Sequence, residues 1–143
     1  MKPALIALLA PFAPTAFAAQ QPDIVVEAPE ARVEIERILE ADNLDVERLS
    51  PREVVGIMEA IERGNAPNDF WEVYQQHLRA WQLFADLVDT VLRQKGESAF
   101  AEREEELAQA EEAVNATFDV VERIALRYGA RMPVPPGKRV PVA

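Results

Sequence analysis

The chain has 143 residues, 15 Lys and Arg against 25 Asp and Glu, and a formal net charge of −10. It holds no cysteine and one histidine, His77. Those counts exclude a disulfide scaffold, a cysteine nucleophile, a Cys-ligated zinc or iron–sulfur centre, and any site needing two imidazoles from one chain. The acidity argues against nucleic acid, whose binding is driven by Lys and Arg releasing phosphate counterions, and against a dedicated binder of anionic membranes.

The N-terminus has the pattern of a secretory signal. Lys2 supplies the positive end, Ala4 to Ala10 (ALIALLA) a short apolar stretch, and Ala16-Phe17-Ala18 the small residues of a cleavage site after Ala18. Pro11 and Pro14 interrupt the run well short of the ~20 apolar residues of a membrane span. The chain is therefore expected to be exported to the periplasm or secreted, with no stable membrane insertion once cleaved. Four parts follow: a cleavable signal peptide (1–18), a flexible lead (19–30), a helical domain (31–129) and a Pro-rich basic tail (130–143) carrying Arg131, Lys138 and Arg139.

Within the domain, Ala31 to Ala41 mixes Val33, Ile35, Ile38 and Leu39 with charges and predicts a short helix, ended by Asp42-Asn43. Leu44, Val46 and Leu49 form a linking turn or extension. Ser50-Pro51-Arg52-Glu53 predicts a capped helix start. Serine accepts from free N–H groups, proline fits the first helical position, and Glu53 reaches back to complete a capping box. Val54, Val55, Ile57, Met58 and Ile61 give that helix one apolar face, with Gly64 in the C′ role.

Leu49-Ser50-Pro51-Arg52-Glu53-Val54-Val55 also resembles the opening of the LuxR-type helix-turn-helix DNA-binding domain, whose first helix often begins with a similar stretch. That resemblance implies DNA binding. It covers one heptapeptide that doubles as a generic capping box. A long helix then follows where the family has a turn and a recognition helix, and the charge has the wrong sign, so the reading is set aside.

A long helix is predicted from Pro67-Asn68-Asp69, with Asn68 or Asp69 as cap, to Lys95-Gly96. It carries two apolar stripes at 3–4 spacing. One is Trp71, Tyr74, Leu78, Trp81, Ala85, Val88 and Leu92. The other is Phe70, Tyr74, His77, Trp81, Phe84, Val88 and Val91. A tight connection at Gly96 to Ser98 then forces an antiparallel neighbour, a helix from Ala99 to Tyr128 capped by Ser98 and closed by Gly129. Leu107, Ala110, Val114, Phe118, Val121, Ala125 and Tyr128 form its apolar face. Its first half is acidic, with seven Glu and one Arg between Glu97 and Glu112, and reads as a solvated face that the basic tail could neutralise. The expected fold class is all-α: a small three- to four-helix bundle built on a long antiparallel helical hairpin, with flexible N- and C-terminal tails.

Phe70, Trp71, Tyr74, His77, Trp81 and Phe84 are the candidate binding residues for a ligand or partner. They form either the core of a small bundle, with Tyr and His tips at its edge, or a pocket for an apolar or planar molecule, haem included, with His77 as polar handle. No catalytic residue is assigned. The only serines past the signal, Ser50 and Ser98, are explained as caps, and no third group orients His77 as a base. No metal site is assigned either, since Tyr74 stands where a Glu-x-x-His pair would need glutamate. Asn115-Ala116-Thr117 spells a glycosylation sequon but lies mid-helix, and is given no weight. Function is expected to be non-catalytic, with no cofactor: a module that engages another envelope protein or its own copy through apolar surface on Phe70–Leu92. The alternative is a carrier of a small hydrophobic or planar ligand beside His77.

Overall fold

The computed structural model describes residues 28–94 and 98–138. The expected signal peptide and residues 19–27 of the lead lie outside the described residues. Within them the chain is all-helical, with no strand and five α-helices packing against each other.

Helix α1 spans Pro29–Ala41, starting two residues before the expected boundary because Pro29 fits its first turn. Ile35, Ile38 and Leu39 share its buried face, whereas Val33 turns to solvent at 60% exposure. Burying side chains of this kind contributes roughly 1.5–3 kcal/mol each. The Arg37 guanidinium ties α1 to the loop beyond the next helix. It donates to the Glu34 carboxylate at 2.9 Å and to the Glu62 carbonyl at 2.8 Å, while Glu34 also accepts from the Asn65 N–H at 3.1 Å.

Helix α2, Pro51–Glu59, opens on the expected capping box. Ser50 Oγ accepts from the Glu53 N–H at 3.2 Å, and the Glu53 carboxylate accepts from the Ser50 N–H at 3.1 Å. Val54, Val55 and Met58 are buried, but Ile57 is exposed, so the apolar face is narrower than expected. Gly64 does not close this helix, which ends at Glu59 with Ala60 as its cap. Gly64 instead takes the left-handed conformation (φ 57°) in the following loop, directly under the Glu34–Arg37 clamp. A side chain there would overlap the Glu34 carboxylate.

Helix α3, Asn68–Arg93, is the 26-residue spine. Its N-cap is Pro67 rather than Asn68 or Asp69. Asp69 instead accepts from the Phe70 N–H and from the Tyr128 hydroxyl, both at 2.8 Å. Phe70, Tyr74, His77, Leu78, Ala80, Ala85 and Val91 are buried. Leu92, placed in an apolar stripe by its spacing, is 64% exposed.

The single helix expected from Ala99 to Tyr128 is two: α4, Ala99–Glu102, and α5, Glu104–Arg127, broken at Arg103. Ser98 does not cap the backbone; its hydroxyl donates to the Glu102 carboxylate at 3.2 Å. The break has an electrostatic logic. Like charges at i, i+3 and i, i+4 oppose a continuous helix, and restarting at Glu104 puts three glutamates in a first turn, where the helix dipole favours them. The described glutamates of this stretch, Glu102 to Glu112, are all exposed.

Gly129 closes α5 as expected, in the left-handed conformation (φ 72°). Its N–H bonds the Leu126 carbonyl at 3.0 Å, and the Ala130 N–H bonds the Ala125 carbonyl at 3.1 Å. This is a Schellman motif, and both Ala125 and Ala130 are buried in the core beside it.

Contacts between α3 and α5 pair Asp69 with Tyr128 and His77 with Thr117, so low numbers on one helix meet high numbers on the other. The α1 face, the α2 face and the first half of α3 enclose the core with Val121 and Ala125 of α5. Residues 130–135 do not behave as a free tail. Ala130 is buried, Met132 packs on the core, and the Val134 carbonyl accepts from Asn43 Nδ2 at 2.7 Å. This segment therefore docks at the end of α1 and not on the glutamate face.

Candidate functional site

The six candidate residues separate along α3. Phe70, Trp71 and Tyr74 stack at its N-terminal end, with ring centroids 6.2 Å (Phe70–Tyr74) and 5.6 Å (Trp71–Tyr74) apart. Phe70 and Tyr74 are fully buried and Trp71 is half-buried, so this group is core. Trp81 and Phe84, both half-buried, meet edge to face at 5.9 Å further along. His77 stands between the two groups, 3% exposed, with its ring 5.3 Å from that of Phe118 on α5.

Of the six, His77 and Trp81 line a cleft of about 390 Å³. Its other walls are Asp42, Leu44 and Val46 from the loop after α1, Val54 from α2, and Val114, Asn115, Phe118 and Asp119 from α5. The volume lies within the ~300–1,000 Å³ typical of small-molecule sites, and the lining is mainly apolar with a few convergent polar groups. A second cleft of about 360 Å³ shares Asp42 and Phe118 with the first and is closed by Met132, Pro133 and Pro135 of the docked segment.

The hydrogen bonding of His77 fixes its tautomer. The Thr117 hydroxyl lies 2.9 Å from His77 Nδ1. That hydroxyl has one proton, and it points back at the helix carbonyls of Ala113 (2.8 Å) and Val114 (3.0 Å). Thr117 therefore accepts from His77, whose Nδ1 carries the hydrogen and whose Nε2 keeps the lone pair. Burial pushes the His77 pKa down to about 4, against a smaller opposing effect from the Val114 carbonyl. The imidazole is neutral at neutral pH.

Asp42 is the feature that sequence reasoning missed. It caps the end of α1, where it reads as a helix terminator. Residue-wide it is half-buried, yet its carboxyl is largely desolvated, and this pushes its pKa up to about 7. The neighbouring Tyr74 hydroxyl pulls in the opposite direction more weakly. That hydroxyl faces Asp42 without a hydrogen bond of ordinary geometry, and it is the buried side-chain oxygen left unpartnered among the described residues. Burial and the Asp42 carboxyl together hold the Tyr74 phenol well above its ordinary pKa.

Among the described residues no cation pairs with Asp42. The ion pairs among the described residues engage Glu34, Glu36, Asp45, Asp86, Asp89 and Glu106. The described residues that line the cleft include no lysine or arginine. Also among the described residues, no group of three or more His, Asp or Glu is placed to hold a metal ion, and no helix is long and apolar enough to cross a membrane.

Phe118 and Thr117 were within reach of the sequence. An antiparallel register through the predicted connection puts residues near 117 opposite His77, and Thr117 ends the Asn115-Ala116-Thr117 sequon. Comparison with protein-family models, with curated proteins and with solved structures gives no match, so function has to be argued from these side chains.

Proposed function

We propose that this protein binds one small organic molecule with an apolar or planar body in the cleft beside His77 and Trp81, without catalysis. The supporting observation is the coincidence of three things in one place: a cleft of ligand size, two aromatic walls (Trp81 and Phe118), and two polar groups, Asp42 and His77, held away from their ordinary protonation. Haem suits the lining poorly, because its propionates call for basic partners and the described lining offers Asp42 and Asp119 instead. We read the architecture around the cleft as a small bundle on an antiparallel α3–α5 hairpin. We also read the N-terminus as a leader, which places the ligand outside the cytoplasm.

The test is a neutral planar probe, Nile red. Its fluorescence is expected to rise on the full chain. The rise should be lost in Trp81→Ala and in Asn115→Trp, which fills the cleft from an exposed position on α5. Equal fluorescence with all three proteins would overturn the reading.

A second reading, association with an envelope protein or a second copy, draws support from a different surface. Trp81, Phe84 and Val88 are half-buried and Leu92 is exposed, and together they make one stripe on α3. Sedimentation of the wild type against a Phe84→Glu, Leu92→Glu variant tests it. A single monomeric species in both would remove self-association.

A further inference from the structure

The cleft raises a question of charge that apolar fit does not answer. A carboxyl removed from water without a cation is costly, and a protein normally supplies a Lys or Arg or lets the group protonate. Among the described residues Asp42 has no ion-pair partner, and Asp119, the second carboxyl of the lining, has none either. The same lining holds Trp81 and Phe118, and aromatic rings of this kind attract cations through the ring quadrupole. His77 does not supply that cation, since burial keeps its imidazole neutral.

Resting on the small-ligand reading above, we propose that the cleft selects an organic cation: an aromatic or apolar body carrying an amine or quaternary ammonium, seated between Trp81 and Phe118 with its charge on Asp42. The chemistry is one of charge complementarity. The ligand's ammonium would be the counter-ion that no described residue supplies, and its body would cover the apolar walls from Leu44 to Val114.

The same arrangement gives a pH signature. Among the described residues, the titratable groups beside Asp42 or sharing a cleft with it are the Tyr74 hydroxyl and the neutral His77 from α3, and Asp119 and Glu122 from α5. Burial holds the His77 imidazole neutral and the Tyr74 phenol protonated across the window in which Asp42 titrates. With its pKa near 7, Asp42 goes from about one-tenth to about nine-tenths ionised between pH 6 and pH 8. Affinity for a cation that needs the ionised carboxylate should therefore rise about tenfold over that range.

The experiment uses three probes of one shape and different charge on the full chain: 2-(1-naphthyl)ethylamine, 1-ethylnaphthalene and 1-naphthylacetate. Binding is read from the Trp81 indole N–H resonance, assigned with Trp71→Phe. The expected order is amine, then hydrocarbon, then acid, with the amine alone gaining about tenfold from pH 6 to pH 8. Asp42→Asn should remove both the amine preference and its pH dependence while keeping the hydrocarbon. The exposed Asp119→Asn, which leaves the core untouched, should reduce the preference by less. If the acid binds as well as the amine, or Asp42→Asn leaves the ratio unchanged, the charge inference falls while the cleft reading stands. If no probe moves the Trp81 resonance, both fall.

Discussion

Asp42 and His77 bring opposite pH dependences to one cleft, and separating them tests the electrostatic picture. In the folded chain the Asp42 pKa is raised from 3.8 to about 7. Between those values the folded state holds a proton that the unfolded state has released, so stability falls as pH rises, and the full cost is present above pH 7. At 1.36 kcal/mol per pKa unit this reaches at most about 4 kcal/mol. The His77 pKa is lowered from 6.5 to about 4. Between those values the unfolded chain binds the proton and the folded one does not, so stability rises with pH. A cost of up to about 3 kcal/mol appears as pH falls from 6.5 to 4. In the wild type the two slopes nearly cancel from pH 4 to 6.5. Asp42→Asn should expose the His77 slope, gaining about 3 kcal/mol over that range. His77→Gln should expose the Asp42 slope, losing about 4 kcal/mol between pH 4 and 7. Urea unfolding followed by tryptophan fluorescence at half-unit pH steps measures both. A difference between Asp42→Asn and wild type that does not change with pH would mean that Asp42 titrates normally, and the desolvation argument would be refuted.

Tyr74→Phe removes a buried hydroxyl that faces the Asp42 carboxyl without a hydrogen bond of ordinary geometry, and should leave stability unchanged or raise it by about 1 kcal/mol; a loss of that size in urea would show that the contact with Asp42 is a full hydrogen bond. Gly64→Ala should cost about 1–2 kcal/mol, because the left-handed backbone disfavours a side chain and the Glu34 carboxylate must move. Its control is Gly56→Ala on the exposed side of α2, where nothing lies within 4 Å of the added methyl. That change should raise stability by about 0.5–1 kcal/mol, and equal effects at the two glycines would contradict the geometry. Ser50→Ala, which removes one half of the capping box at α2, should cost about 1 kcal/mol in thermal unfolding.

Local rules written into neighbouring residues were legible from sequence. The Ser50–Glu53 box, the 26-residue run of α3 and the glycine closing α5 each depend on side chains a few positions apart, and each stands where its spacing puts it. Features set by distant parts of the chain were not. Gly64 looks like a helix stop, but its conformation serves a loop clamped by Glu34 and Arg37 from α1. Arg103 breaks a run with no proline or glycine to announce it. Within the site, spacing put six residues on one broad face of α3 but could not tell which of them a second helix would cover. Phe70 and Tyr74 went to the core, and His77 and Trp81 went to the cleft. Asp42 was invisible for the same reason. The residues around it, Tyr74 of α3, Phe118 of α5 and Met132 of the docked segment, are none of them local to it.

Native mass spectrometry of the protein purified from its own host tests the small-ligand reading most directly. The expected result is a monomer beginning at Ala19 and carrying one retained organic molecule, which Trp81→Ala loses. A bare dimer, or a bare monomer unchanged by Trp81→Ala, would contradict it.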